Sequence, residues 1–135
     1  HGRDVFAPAA AHLAAGVDLG RLGPALHDPV RMPWPGCRLS GQEIIGEVIG
    51  SDRFGNLLTS VTARWLEDRG GATGVVVGDR RLGGAVSCYA DGLDGVPTPI
   101  MGSSGRLEIF VRNGSARAVL GAERGTPVRV EVRRA

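Results

Sequence analysis

With 135 residues, a formal net charge of +2, 42% hydrophobic and 22% charged residues, the chain has the make-up of one folded globular domain and not of a disordered segment. All 16 basic residues are arginine and aromatics are only 4%, so the basic, stacking surface of a nucleic-acid binder is not expected. No apolar run reaches the roughly 20 residues of a membrane helix and there is no secretory leader, so no membrane partner and a cytoplasmic location are expected.

The first predicted element is a short helix from Asp4 to Gly16, where Phe6, Ala10 and Leu13 share a face, Pro8 falls in the first turn and Gly16 closes the end. Residues 17–41, with Pro29, Pro33 and Pro35, read as an extended, irregular connector. The texture then changes to strands: Ile44 to Ile49 runs on to Asp52, Phe54-Gly55-Asn56 makes a turn, and Leu57 to Val61 returns as a hairpin. Ala63 to Arg69 suggests one helical turn. Short strands are expected at 74–78 and 85–90, and at 107–111 and 128–132, where apolar and polar residues alternate. Asn113-Gly114 supplies a turn, and Ala116 to Gly121 brings the chain back. With 22 glycines and 8 prolines and no long crossover helices, the fold class is mainly β. We expect an antiparallel β-barrel or sandwich at 42–135, preceded by a helix and extended linker at 1–41.

Two turns carry chemistry. Asp52, Phe54 and Asn56 offer a carboxylate, an aromatic ring and a carboxamide, a set suited to an ammonium, a flat base and that base's polar edge. The same residues also suit a plain turn with Phe54 as a core plug. In Gly102-Ser103-Ser104-Gly105, paired hydroxyls and backbone N–H groups could hold a carboxylate, or the segment is simply a flexible loop. His1 could orient or deprotonate a water, since histidine titrates near neutrality, or be a frayed end. His1, His12 and His27 lack ligand spacing and so do Cys37 and Cys88, so no metal is expected and both thiols are expected free.

Taken in order, His1-Gly2-Arg3-Asp4-Val5-Phe6-Ala7-Pro8, Asp52-Arg53-Phe54-Gly55-Asn56-Leu57-Leu58-Thr59 and Gly102-Ser103-Ser104-Gly105-Arg106-Leu107-Glu108-Ile109 resemble the S-adenosyl-L-methionine hydroxide adenosyltransferases, relatives of the fluorinase and chlorinase. The likeness covers that family's interdomain segment and C-terminal β domain. It implies hydrolysis of S-adenosylmethionine to adenosine and L-methionine by attack of water at the ribose C5′, with no cofactor. It implies further that an N-terminal α/β domain stands upstream and that the site forms between subunits of a homotrimer, so that this chain alone is inactive. His1 would be the catalytic histidine; halogenating relatives carry a serine there. Asp52 would pair with the methionyl ammonium, Phe54 would pack near the adenosine and Asn56 would read the adenine edge. Ser103 and Ser104 would hold the carboxylate, and backbone from Val111 to Asn113 would complete the adenine pocket. Two positions depart from the pattern: some relatives have arginine in place of Ser104, and Ser60 replaces the asparagine usual after this threonine. The rival readings are a non-catalytic adenosyl-binding or assembly module and, further off, a nucleic-acid-binding barrel.

Overall fold

The computed structural model describes residues 1–133; the last two residues of the expected β domain, Arg134 and Ala135, lie outside the described range. Contacts divide the chain into two units, His1–Pro33 and Trp34 onward.

The first unit is a helix with a loose start. Gly2–Phe6 winds as a π turn and continues as α1, Ala7–Ala14. Pro8 stands just after the switch, where the wider turn relieves its ring of the clash a tight α turn would impose. Gly16, at φ +82°, ends the helix, and the Val17 N–H donates to the His12 carbonyl at 3.0 Å, as in a Schellman closure. The connector holds a 3-10 turn at Leu19–Leu22, with the Asp18 carboxylate accepting from the Gly20 N–H at 2.8 Å.

The second unit is one antiparallel, barrel-like sheet. Its strands are β1 (Arg38–Ser40), β2 (Glu43–Ser51), β3 (Leu57–Thr62), β4 (Ala72–Val77), β5 (Arg80–Leu82), β6 (Pro97–Met101), β7 (Arg106–Val111) and β8 (Pro127–Val132). Two short helices, α2 (Ala63–Glu67) and α3 (Ala116–Leu120), punctuate it. The spatial order is β5-β4-β8-β2-β3-β7-β6, with β1 paired to β2. β2 carries the curvature: residues 43–47 pair with β8, residues 48–51 pair with β3, and the register shifts between Val48 and Gly50. Such a bulge bends a strand and lets one sheet wrap toward closure. The enclosed core is aliphatic, with Ile44, Val48, Leu57, Val61, Val75, Leu107, Ile109, Val128 and Val130 fully buried.

The antiparallel β expectation holds, with one correction and some additions. Residues 85–90 are not a strand: Val86 makes a single parallel bridge to Ile100, and Tyr89–Asp91 coils into a 3-10 turn. Gly83 and Gly84 precede this segment, and the Asp91 carboxylate accepts from the Cys88 N–H at 3.2 Å, so the local polar group wins over a ladder. The return at 116–121 is a helix, capped by Ser115 and ended by Gly121 at φ 60°. β1 lies within the stretch expected to be irregular, and β6, which holds Pro97 and Pro99, lies where no element is predicted. β6 ends the strand order, the position at which proline is tolerated.

Candidate functional site

The two candidate turns share one geometry. At 52–56 the Gly55 N–H donates to the Asp52 carbonyl at 3.1 Å and the Asp52 N–H to the Asn56 carbonyl at 3.0 Å. At 102–106 the Gly105 N–H donates to the Gly102 carbonyl at 3.0 Å and the Gly102 N–H to the Arg106 carbonyl at 2.9 Å. Gly55 and Gly105 take the left-handed position, at φ +82° and +70°. Each is a three-residue hairpin loop whose last member must be left-handed, and each therefore presents two side chains at its tip: Arg53 and Phe54 in one, Ser103 and Ser104 in the other.

Asp52 both builds its turn and faces outward. One carboxylate oxygen accepts from the N–H groups of Phe54 at 2.8 Å and Asn56 at 3.0 Å; the other accepts from Asn56 Nδ2 at 2.9 Å. The turn role and the ligand role are therefore compatible. Asn56, with its NH2 engaged, points the remaining amide oxygen elsewhere as an acceptor. Phe54 is 62% exposed, so it does not plug the core, and the Arg53 guanidinium lies 4.7 Å from its ring centroid. The turn is pinned from behind by α3, whose Arg117 N–H donates to the Gly55 carbonyl at 2.9 Å.

Beside this turn lies a groove of about 340 Å³, bounded by Phe54 and Asn56, by Tyr89, and by the end of β7 from Phe110 through Gly114. Its volume sits at the lower end of small-ligand pockets. Tyr89 packs edge-on against Phe110, with centroids 4.8 Å apart and planes at 68°. The far rim is held by Asp94, whose carboxylate accepts from Arg112 Nε and, at 3.3 Å, from Asn113 Nδ2. The Arg112 hydrogen bond, and then the Asn113 one, hold the Asp94 carboxyl below the usual carboxylate range. Asn113 itself is left-handed at φ 56°, which turns the backbone of the rim toward the groove. The depression between β2 and α3, lined by residues such as Val48, Arg117 and Arg124, has no aromatic wall.

Phe54, Asn56, Val111 and Asn113 are thus brought together, with Asp52 bonded to Asn56 behind them. Ser103 and Ser104 stand exposed at the other turn; they do not line the groove, and the Ser104 hydroxyl donates to Glu108 Oε1 at 3.0 Å. His1 belongs to the first unit, where its carbonyl accepts from the N–H groups of Val5 and Phe6 at 2.9 and 3.1 Å. Ser60, one of the two departures, is structural: its Oγ accepts from the Glu47 N–H at 3.0 Å and lies 3.3 Å from Cys37 Sγ. Among the described residues no group of three or more His, Cys, Asp or Glu side chains converges as a metal site, and no helix is long and apolar enough to cross a membrane.

Sequence reasoning missed Tyr89, Phe110 and Glu108. Tyr89 is the chain's single tyrosine and lies in the segment misread as a strand. Phe110 and Glu108 share the face of β7 opposite Leu107, Ile109 and Val111, with Phe110 itself buried there, and an aromatic on that otherwise polar face was the available signal. The Tyr89 hydroxyl is pushed above the ordinary tyrosine range by burial first, then by the negative charges of Glu108 and Asp52.

Comparison with known proteins then decides the family. Residues 46–129 match the model for the SAM hydroxide adenosyltransferase C-terminal domain. The chain belongs to the SAM hydroxide adenosyltransferase family. It is 42% identical over 130 residues to the (R)-S-adenosyl-L-methionine hydrolase of Thermus thermophilus, covering 96% of this chain and 48% of that one. To the protein of the same name from Salinispora tropica it is 33% identical over 132 residues, covering 96% and 49%. Among solved structures, a conserved hypothetical protein of Thermus thermophilus aligns with TM-score 0.69 and 41% identity over 96% of this chain and half of that one. An uncharacterized conserved protein of Thermotoga maritima aligns with TM-score 0.71 and 32% identity, covering 96% and 51%. This SAM hydroxide adenosyltransferase chain spans about half the length of the curated relatives it matches.

Proposed function

We propose that this chain is the C-terminal half of an enzyme that hydrolyses S-adenosyl-L-methionine to adenosine and L-methionine. The observation that carries the reading is the aromatic-walled groove beside Asn56, placed within the region matched to the family. Adenine lies between Phe54 and the Tyr89–Phe110 pair, offers its amino group to the free Asn56 amide oxygen, and meets the β7 backbone from Val111 to Asn113. Asp52 takes the methionyl ammonium, and the Gly102–Gly105 turn takes the amino-acid carboxylate.

In the reaction the water oxygen forms a bond to ribose C5′ as the C5′–S bond breaks. The electron pair passes to sulfur, which leaves as the neutral thioether of methionine and needs no acid. The proton lost by the water passes to His1. The protein's task is alignment and exclusion of bulk solvent. Residues 1–41 serve as the interdomain helix and linker, stitched to the β domain of 42–135 through β1. The opposite wall comes from an N-terminal α/β domain, contributed across a subunit boundary of a cytoplasmic homotrimer. No cofactor takes part.

The test is chromatography of adenosine and methionine after incubation with S-adenosylmethionine. The 135-residue chain should release neither, since a half-pocket leaves its ligand largely solvated. The protein carrying its N-terminal half should release both, and His1→Ala in that protein should lower kcat. Turnover by the 135-residue chain would refute the half-site; absence of turnover in the longer protein would refute the hydrolase and favour a binding module. Sedimentation of the longer protein checks the trimer.

A further inference from the structure

Glu108 lies within the third motif but carries no assigned role. It stands on β7 between buried Leu107 and Ile109, so its side chain turns to the face it shares with Phe110. Its carboxylate is folded over Gly102: a Cβ built there would come within 2.0 Å of Glu108 Oε1. The glycine is the cradle, and any side chain at 102 would evict the carboxylate. Within that cradle Oε1 accepts the Ser104 hydroxyl at 3.0 Å. A hydroxyl has one proton to donate and two lone pairs to offer. With the proton turned inward to Glu108, Ser104 presents only lone pairs to a ligand. An incoming carboxylate would find no donor in the Ser104 side chain and would face the charge of Glu108; an ammonium would find an acceptor backed by a negative charge.

Resting on the adenosyl reading above, we propose that Glu108 is a positioning residue that fixes Ser104 as an acceptor, so that this turn receives the substrate's ammonium at Ser104 and its carboxylate at Ser103 and the turn's backbone N–H groups. Ser104 then shares the ammonium with Asp52, while Ser103 keeps the carboxylate.

The test compares three ligands by protein-observed NMR titration of the 135-residue chain up to millimolar concentration: adenosine, S-adenosylmethionine, and its decarboxylated analogue, which keeps the ammonium. In Glu108→Gln both ammonium-bearing ligands should weaken by the same factor, roughly five- to tenfold, as for loss of one ordinary hydrogen bond, while adenosine is unchanged. Ser104→Ala, an exposed change that spares the fold, should weaken both equally by about threefold. A loss confined to S-adenosylmethionine would assign Ser104 to the carboxylate and overturn the proposal; so would tighter binding of S-adenosylmethionine in Glu108→Gln, or no change. A second readout needs no ligand. Tyr89 is the only tyrosine, so its alkaline absorbance change titrates one residue, and Glu108→Gln should lower its midpoint. An unmoved midpoint overturns the placement of Glu108 even if adenosine binds. A moved midpoint with no adenosine binding overturns the adenosyl reading instead.

Discussion

Substituting Gly55 by alanine tests how tightly the ligand turn is locked. Two penalties add. The left-handed backbone at φ +82° costs an L-residue about 1–2 kcal/mol. The new Cβ would also stand 2.1 Å from Ser115 Oγ and 2.7 Å from its Cβ. Ser115 must therefore withdraw, and its hydroxyl gives up the Ala118 N–H that it accepts at 3.2 Å as the cap of α3. Loss of such a cap costs about 1 kcal/mol, and the Arg117-to-Gly55 hydrogen bond is strained with it. The expected total is about 2–4 kcal/mol, read from urea unfolding followed by circular dichroism with linear extrapolation. Gly105→Ala is the internal control, because that glycine is equally left-handed at φ +70° but has nothing within 4 Å of its Cβ position; it should cost only the backbone part, about 1–2 kcal/mol. In a Ser115→Gly background, where the nearest remaining Ser115 atom is the Cα at 3.3 Å, Gly55→Ala should fall to the same value, a coupling of about 1 kcal/mol or more. Equal costs for the two glycines, with no coupling to Ser115, would refute the claim that α3 clamps the turn.

Phe54→Ala, at a side chain 62% exposed, should change stability by under about 0.5 kcal/mol yet weaken adenosine binding roughly tenfold through lost stacking; a large stability loss would return Phe54 to the core. Cys88 is exposed and Cys37 half-buried, and burial pushes the Cys37 thiol up, so a thiol reagent at neutral pH should show one fast and one slow phase, with Cys88→Ser removing the fast one. Asp94 has its pKa lowered in the fold by Arg112 and Asn113. The native state then binds fewer protons than the unfolded one, and the resulting stability is present above the ordinary aspartate range and lost as pH falls through the lowered value. Asp94→Asn should therefore flatten the acid limb of an unfolding curve measured from pH 7 to pH 2, while an unchanged limb would remove Asp94 from the account.

What could be read in the sequence was what depends on near neighbours. Asp52-x-x-Gly55 and Gly102-x-x-Gly105 each carry their own turn chemistry, and both fold as three-residue loops with the glycine left-handed. Alternation on β7 and β8 likewise fixed which side chains enter the core. The groove was not legible because its walls come from distant segments: Tyr89 reaches Phe110 only after the 83–96 loop folds back, with Gly92 so close to that ring that a Cβ would come within 2.6 Å. Nor could Glu108 be assigned, since the partner that gives it meaning is a hydroxyl on the neighbouring turn. β6 escapes notice for a different reason: a segment with two prolines gives no clear strand signal, and it is accommodated because the strand lies at the end of the order.

Those prolines also shape the rim of the sheet. Pro99 gives its carbonyl to the Val86 N–H at 2.9 Å, on the side away from β7, and its ring nitrogen faces that side too, as does that of Pro97 two residues earlier. An extended segment lying along this rim meets no donor at two alternate positions, so the pairing there is limited to the single parallel bridge of Val86 to Ile100. The gap between β4 and β6 is itself spanned by residues 85–86, whose N–H groups donate to the Ala72 and Pro99 carbonyls at 3.1 and 2.9 Å, so the end of the strand order is covered by the protein's own chain.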